Sequence, residues 1–427
     1  MLSLLAVNNF LFSARFDLMF QQGCFRCFYG RFSLLYRVFG KFKEVRYMQI
    51  ATMPYSERLS PPTPLKILYV QPGTSAFAGI ERVVDTICSG LMDRYGSDFE
   101  VDVLYTSVHK NRPTEGRNYT IIDRVASSRI ELMRNFRKVI AGKDYDLVVV
   151  PQIEPTVICM ASCIGIRRRF AVHLHGNPKL ERSHIKAKIL FLLMKTLFLP
   201  RIASVFGTSP RQLTSFNAMF KSKRPHYWVP NPVRKFDLSD AGQARVGDNV
   251  TFINIGRFSF QKGQDILLAA FCELRKKRSN VLLKIVGYGD GEAALRAEID
   301  RRGLADVVSL EHHPENPQPA LAASDVYVST SRWEGWSLAI CEALRFGLPV
   351  IATDCEFGPS DILVDSRLGL LVPVDRSEEL VNAMIYYCDN LRAEQAHASF
   401  RQEFIDCYSP ERVLEVHANA LRSAAAA

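Results

Sequence analysis

The chain has 427 residues, 48% hydrophobic and 23% charged, with a formal net charge of +10. That length suits two or three domains with sizeable cores, and the composition excludes wholesale disorder. The ten cysteines are scattered; with Cys24 and Cys27 as the only C-x-x-C pair, a zinc ribbon is excluded, and thiols so placed suit a reducing compartment.

Residues 1–50 carry seven Arg/Lys against Asp17 and Glu44, interleaved with twelve Phe and Tyr. Such a mixture suits an anionic membrane surface. No apolar run there reaches the ~18–20 residues of a spanning helix, and the opening MLSLLAVNNFLF lacks the basic start and cleavage site of a signal peptide. Met48 and Met53 are alternative natural starts, so residues 1–64 are set apart as a basic, aromatic extension. PPTPLKILYVQPG (61–73) reads as a linker entering a first strand. Gly79-Ile-Glu-Arg-Val-Val then opens an apolar-periodic helix ending near Leu91. Strands follow at 101–107 and, after a helical stretch, at 146–152; Asp144-Tyr145-Asp146 reads as a cap of that helix, not as a metal-binding D-x-D. AVHLHG (171–176) is a strand ending on His173 and His175. IKAKILFLLMKTLFL (185–199) is an apolar helix carrying Lys186, Lys188 and Lys195. It is too short to span a bilayer, and so either lies in the interface or packs in the core. ASVFGTS (203–209) is the next strand.

A turn-rich break covers 226–249. The alternation then restarts with a strand at 251–256, a helix from Gly263, a strand at 282–287, a helix from Glu292, and strands at 307–312, 326–331 and 348–354. Strands alternating with helices argue parallel sheets covered on both faces. The expected fold class is α/β, with two doubly wound, Rossmann-like domains at 65–230 and 231–405. Ligands of such sheets bind beyond the C-terminal strand edges.

The stretch SRWEGWSLAICEALRFGLPVIATD (331–354) puts Glu334 in a turn between strand and helix, and Glu342 on the helix. Ser337 is a candidate N-cap and Gly347 a left-handed C-cap. The backbone amides of 335–338 are then free to bind an anion. Acids beside such a site would repel phosphate, so they more plausibly accept hydroxyls; a nucleotide-sugar has hydroxyls on both sides of its diphosphate. In GRFSFQKGQD (256–265), Arg257 and Lys262 flank a helix start, as a pyrophosphate requires. KIVGYGDG (284–291) is a weak dinucleotide fingerprint, since Glu292 replaces its third glycine; Gly287 fits a turn that a nucleotide approaches closely. His175 ends a strand facing the expected cleft and His173 shares its face, while His312-His313 reads as a polar loop. No metal and no cofactor are expected.

AGIERVV (78–84), HLHG (173–176), VPNPV (229–233), GRFSFQKGQD (256–265) and EGWSLAICE (334–342), in that order, resemble the retaining glycosyltransferases of family 4. FGPSDIL (357–363) resembles the subgroup that builds lipopolysaccharide and exopolysaccharide. The resemblance implies the GT-B fold, two domains facing each other across a cleft, and covers about residues 65–410. A C-terminal helix, 406–427, is expected to pack back on the first domain. Carried over, Arg257 and Lys262 would hold the donor pyrophosphate, Glu334 the donor-sugar hydroxyls and Glu342 the ribose. The amides of Gly335, Trp336, Ser337 and Leu338 would hold sugar or phosphate. Gly79 would admit the phosphate, and His175 would touch the sugar near the reacting carbon. Ala78 departs from the usual Gly-Gly pair, and Trp336 stands where Phe is more common.

The implied reaction is metal-independent transfer of a hexose from a nucleotide-sugar, with UDP as the expected nucleotide, to a lipid-linked saccharide, with retention, at the cytoplasmic face of the inner membrane. An anionic membrane surface is an expected partner and nucleic acid is not. The alternatives are a nucleotide-sugar epimerase on the same fold, and a noncatalytic nucleotide-binding protein whose basic surface meets membrane or nucleic acid.

Overall fold

Fourteen strands and thirteen α-helices are seen in the computed structural model, which describes residues 48–49, 63–71, 73–74, 77, 79–109, 112–113, 116–182, 184–236, 249–312 and 316–427. Ala78 and His313 fall outside the described residues, as do residues 1–47 of the extension. The first half runs β1 (Met48–Gln49), β2 (Leu65–Val70), α1 (Gly79–Tyr95), β3 (Phe99–Tyr105), β4 (Thr120–Asp123), α2 (Arg129–Gly142), β5 (Leu147–Pro151), α3 (Ile153–Ser162), β6 (Phe170–Leu174), α4 (Ile185–Leu193), β7 (Ile202–Gly207), α5 (Pro210–Phe220) and β8 (His226–Trp228). The second runs β9 (Val250–Ile255), α6 (Gln264–Lys277), β10 (Val281–Val286), α7 (Glu292–Arg301), β11 (Val308–Glu311), α8 (Gln318–Ala322), β12 (Val326–Ser329), α9 (Leu338–Arg345), β13 (Val350–Thr353), α10 (Pro359–Ile362), β14 (Gly369–Val372), α11 (Ser377–Gln395), α12 (Ala398–Ile405) and α13 (Pro410–Ala426).

The strands form two sheets, ordered β1-β8-β7-β6-β5-β2-β3-β4 and β11-β10-β9-β12-β13-β14. Every pairing is parallel. Parallel strands need both faces covered, and apolar runs such as Leu147–Pro151, buried throughout, supply that. Strand order reverses around β2 in the first sheet and around β9 in the second, and crevices form beyond the C-terminal edge at such points. The edge strand β1 pairs with β8, so residues read from the sequence as an extension contribute to the first sheet.

Four expectations need correction. The helix foreseen over 185–199 is α4 followed by a π-turn at Met194–Phe198 and a 3-10 turn at Leu199–Arg201; Pro200 has no N–H to continue the regular ladder. Asp144 and Asp146 do not cap the preceding helix. Asp146 accepts from the Lys66 amide at 2.8 Å, and Asp144 pairs with Arg168. Ser337 occupies the N-cap position but its side chain makes no capping bond. Finally, α1 runs to Tyr95 rather than ending near Leu91. Gly347 does close the turn after α9, with φ of 73°.

Helix α13 packs against α1. Leu414, Ala418, Leu421 and Ala424 share a core with Val83, Val84, Ile87 and Leu91. A side-chain carbon on Gly90 would lie 2.4 Å from Leu414, so the helices approach as closely as a glycine permits. Burying a leucine of this kind stabilises by about 1.5–3 kcal/mol.

Candidate functional site

The loops after β6 and β7 meet those after β12 and β13. After β9 the chain turns through Gly256 and Arg257 to a 3-10 turn ending at Lys262, and Gly263, at φ 64°, starts α6. A side-chain carbon on Gly263 would sit 2.1 Å from the Thr330 carbonyl, so this loop lies directly on the end of β12. Gly287 is packed as tightly on the Gly256 carbonyl, 1.9 Å from such a carbon. These close approaches bring the loops after β9, β10 and β12 together at one place.

Glu334 is 6% exposed, with Lys262 Nζ 2.6 Å from its Oε1 and the Ser331 hydroxyl donating to the same oxygen at 2.7 Å. Glu342 is 7% exposed and accepts from Arg234 Nε at 2.7 Å. A buried carboxylate without such a partner is strongly unfavourable, and each acid is aimed by its own cation. Arg257 is exposed and, among the described residues, has no acceptor for its guanidinium. The amides of Gly335, Trp336, Ser337 and Leu338 find no acceptor among the described residues either. A free cation, four free amides and the positive end of α9 are the elements of a candidate anion site.

The first sheet contributes differently. Gly335 lies so close to the His175 carbonyl that an added side-chain carbon would be 1.8 Å from it. Burial, with help from His417, pushes the His175 imidazole down to about 3, so the ring is neutral at physiological pH. His173 is displaced the same way by burial and by the two neighbouring imidazoles. The His173 ring lies 3.9 Å from that of His175 and 6.0 Å from that of His417 on α13. Gly79 opens α1, and an added carbon there would meet nothing within 4 Å among the described residues; that space is open to a ligand.

The structure thus gathers Arg257, Lys262, Gly287, Glu334, Gly335, Ser337, Leu338, Glu342 and, through Gly335, His175. It moves one side chain away. Trp336 is 5% exposed and packs on Trp228 and Tyr408, with ring centroids 6.5 and 5.0 Å apart, so it can meet a ligand only through its backbone. Residues not singled out from the sequence also belong here. Arg234 fixes Glu342. Gln212 donates to the Gly176 carbonyl at 2.7 Å and holds the loop after β6. Ser209 donates to Asp361 at 2.7 Å, and Asn177 to Glu356 at 3.0 Å, tying the two sheets' loops together. Gln152, at φ 67°, ends β5 in a conformation rare for a side-chain-bearing residue, as functional sites often require. The FGPSDIL motif was the one available signal for Asp361; Arg234 directly follows VPNPV.

The family model of glycosyl transferases group 1 matches residues 236–402. That segment, in the second half of the chain, is similar to this family. Across 361 residues it is 24% identical to the O-antigen chain mannosyltransferase C of Escherichia coli, covering 80% of this chain and 94% of that one. It is 40% identical to an uncharacterized glycosyltransferase of Methanocaldococcus jannaschii over 116 residues, 27% of this chain and only 29% of that relative. The crystal structure of Anabaena HepE in complex with UDP superposes with a TM-score of 0.70 at 21% identity, covering 84% of this chain and all of that one. The two sheets are therefore the two halves of a GT-B fold.

Proposed function

We propose that the chain transfers a hexose from a UDP-sugar to a lipid-linked saccharide in bacterial surface polysaccharide synthesis, with retention and without a metal ion. The observation that carries this reading is the pairing of Glu334 with Lys262 and of Glu342 with Arg234 on either side of the free amides of 335–338. That arrangement suits a diphosphate between two hydroxyl-bearing sugars. The name of the E. coli relative and the UDP bound to HepE support the acceptor and donor classes.

The leaving group is a nucleoside diphosphate, so the main task is to stabilise charge that develops as the glycosidic bond breaks. Arg257, Lys262 and the α9 amides are placed for that. Lys262 would turn toward the phosphate while Glu334, still beside it, accepts donor-sugar hydroxyls; Glu342 would accept the ribose hydroxyls. A neutral His175 can donate or accept one hydrogen bond near the reacting carbon without adding charge. Same-face attack by the acceptor, with the departing phosphate taking its proton, fits a site where no carboxylate in the matched motifs is a free nucleophile.

The acceptor would be reached from the cytoplasmic face of the inner membrane. Among the described residues no helix is long and apolar enough to cross a bilayer. Helix α4 and its continuation do expose Ile185, Ile189, Leu192 and Leu197 beside Lys186, Lys188 and Lys195, a combination suited to lying in an anionic interface. Incubating the protein with labelled UDP-sugars and a polyprenyl-linked saccharide, with and without EDTA, tests the reading. Transfer that survives chelation is expected. Interconversion of the free UDP-sugar without transfer would favour an epimerase, and complete chelator sensitivity restored by Mn²⁺ would remove the metal-independent step.

A further inference from the structure

The opposite end of the first sheet carries a second concentration of charge. A cavity of about 570 Å³ opens beyond the N-terminal ends of β5, β6 and β7, lined by Arg167, Arg168, Arg169 and Arg201 with Asp144, Tyr145, Asp146 and Ile166. It is separated from the cleft by the length of the sheet; β5, five residues long, accounts for ~15 Å. Three successive arginines in a strand would point to alternating faces. Here residues 166–169 precede β6 and have no regular structure, so all three line one cavity.

The two acids do not balance them. Asp146 is engaged by the Lys66 amide, and Asp144 neutralises Arg168 at 2.5 Å. Arg168 also donates to the Lys143 carbonyl at 3.2 Å, yet its Nε is buried with no acceptor. Arg169 donates through Nε to the Ala427 carbonyl at 3.0 Å. Among the described residues, Arg167 and Arg201 have no side-chain acceptor at all. Arg167, Arg169 and Arg201 are exposed and line one cavity, so their like charges repel. An anion that accepts from several of them offsets that repulsion.

We propose that this cavity binds a phosphate ester, its oxygens held by the guanidiniums of Arg167, Arg169 and Arg201. Arginine presents planar paired donors matched to phosphate geometry, and the volume exceeds that of the bare anion, with Ile166 and Tyr145 as walls for the esterified group. The same chemistry is offered by a soluble phosphate monoester and by the headgroup of an anionic lipid. The site is independent of the donor assignment, since none of its residues lies at the cleft.

The test uses the full chain, the triple variant R167Q/R169Q/R201Q and, as a cleft control, R257Q. Glycerol 3-phosphate binding is measured by calorimetry, and vesicle binding by flotation on phosphatidylcholine with and without phosphatidylglycerol. For at least one probe, binding is expected to fall at least tenfold in the triple variant, about 1.4 kcal/mol, to be retained in R257Q, and to weaken with salt. A response to glycerol 3-phosphate alone assigns a soluble ester; a response to anionic vesicles alone assigns the lipid headgroup. Should the triple variant unfold, R167Q and R201Q singly remove only side chains without protein partners. Equal binding by wild type and variants, or no binding of either probe, overturns the proposal.

Discussion

The two sheets meet at one cleft with opposite electrostatic strategies. The second brings full charges, each buried acid matched to a cation: Glu334 to Lys262 and Glu342 to Arg234. The first brings His175, His173 and His417, which burial keeps neutral. The difference teaches that one half is built to hold a charged ligand, as proposed above, while the other offers shape and uncharged hydrogen-bonding groups. The halves touch where Gly335 lies on the His175 carbonyl.

The largest expected effect comes from breaking that contact. Gly335→Ala places a carbon 1.8 Å from the His175 carbonyl, and both partners are backbone, so the halves must separate. Activity should fall by about a hundredfold or more, the scale set by a 1 Å misplacement of reacting groups. Near-native turnover in steady-state assays would mean that the two halves do not act in this closed arrangement.

Next come the charged pairs. Glu334→Ala should lower turnover more than donor affinity if its sugar contacts tighten in the transition state. Lys262→Ala leaves Glu334 buried and unpaired and should also cost about 3 kcal/mol of stability in urea unfolding. Glu342→Ala should instead weaken donor binding by about 1.5–3 kcal/mol, the worth of hydrogen bonds to a charged group. Calorimetry with UDP measures it, and unchanged affinity would remove Glu342 from the ribose site.

The smallest effect probes the neutral side. His175 and His417 are held near 3 and 4 by burial, below the ordinary 6.5. The unfolded chain binds protons below pH ~6.5 that the folded chain refuses. Their contribution is therefore full above that pH and lost as pH falls toward 3–4, at up to ~1.4 kcal/mol per pH unit for each ring. His417→Gln should make the stability profile between pH 6 and 5 shallower than wild type. An unchanged slope in denaturant melts would show that His417 does not titrate this way.

Much of the second sheet's site was legible because it is local. Arg257 and Lys262 lie among the eight residues between the end of β9 and the start of α6, and Glu334 and Glu342 occupy one strand–turn–helix unit. Strand and helix periodicity alone places such residues at an edge. Arg234 was not legible as the partner of Glu342, being 108 residues away in a linker whose path no periodicity encodes. The place of the Trp336 ring was not legible for the same reason. Its neighbours in sequence line the site, but Trp228 and Tyr408 draw its ring into the core.

The sequence by itself determined the two parallel sheets, through apolar strands alternating with amphipathic helices, and the four free amides at the start of α9, through the turn that precedes it. These follow from hydrogen bonding and burial within about thirty residues. Only the tertiary structure decided which cation meets which acid, that the His417 ring on the last helix lies 6.0 Å from that of His173, and that Arg201 joins the three successive arginines 167–169 at one cavity. Those are encounters between residues distant in the chain, fixed by how the sheets, linker and C-terminal helix pack, and packing is a property of the whole core rather than of any segment.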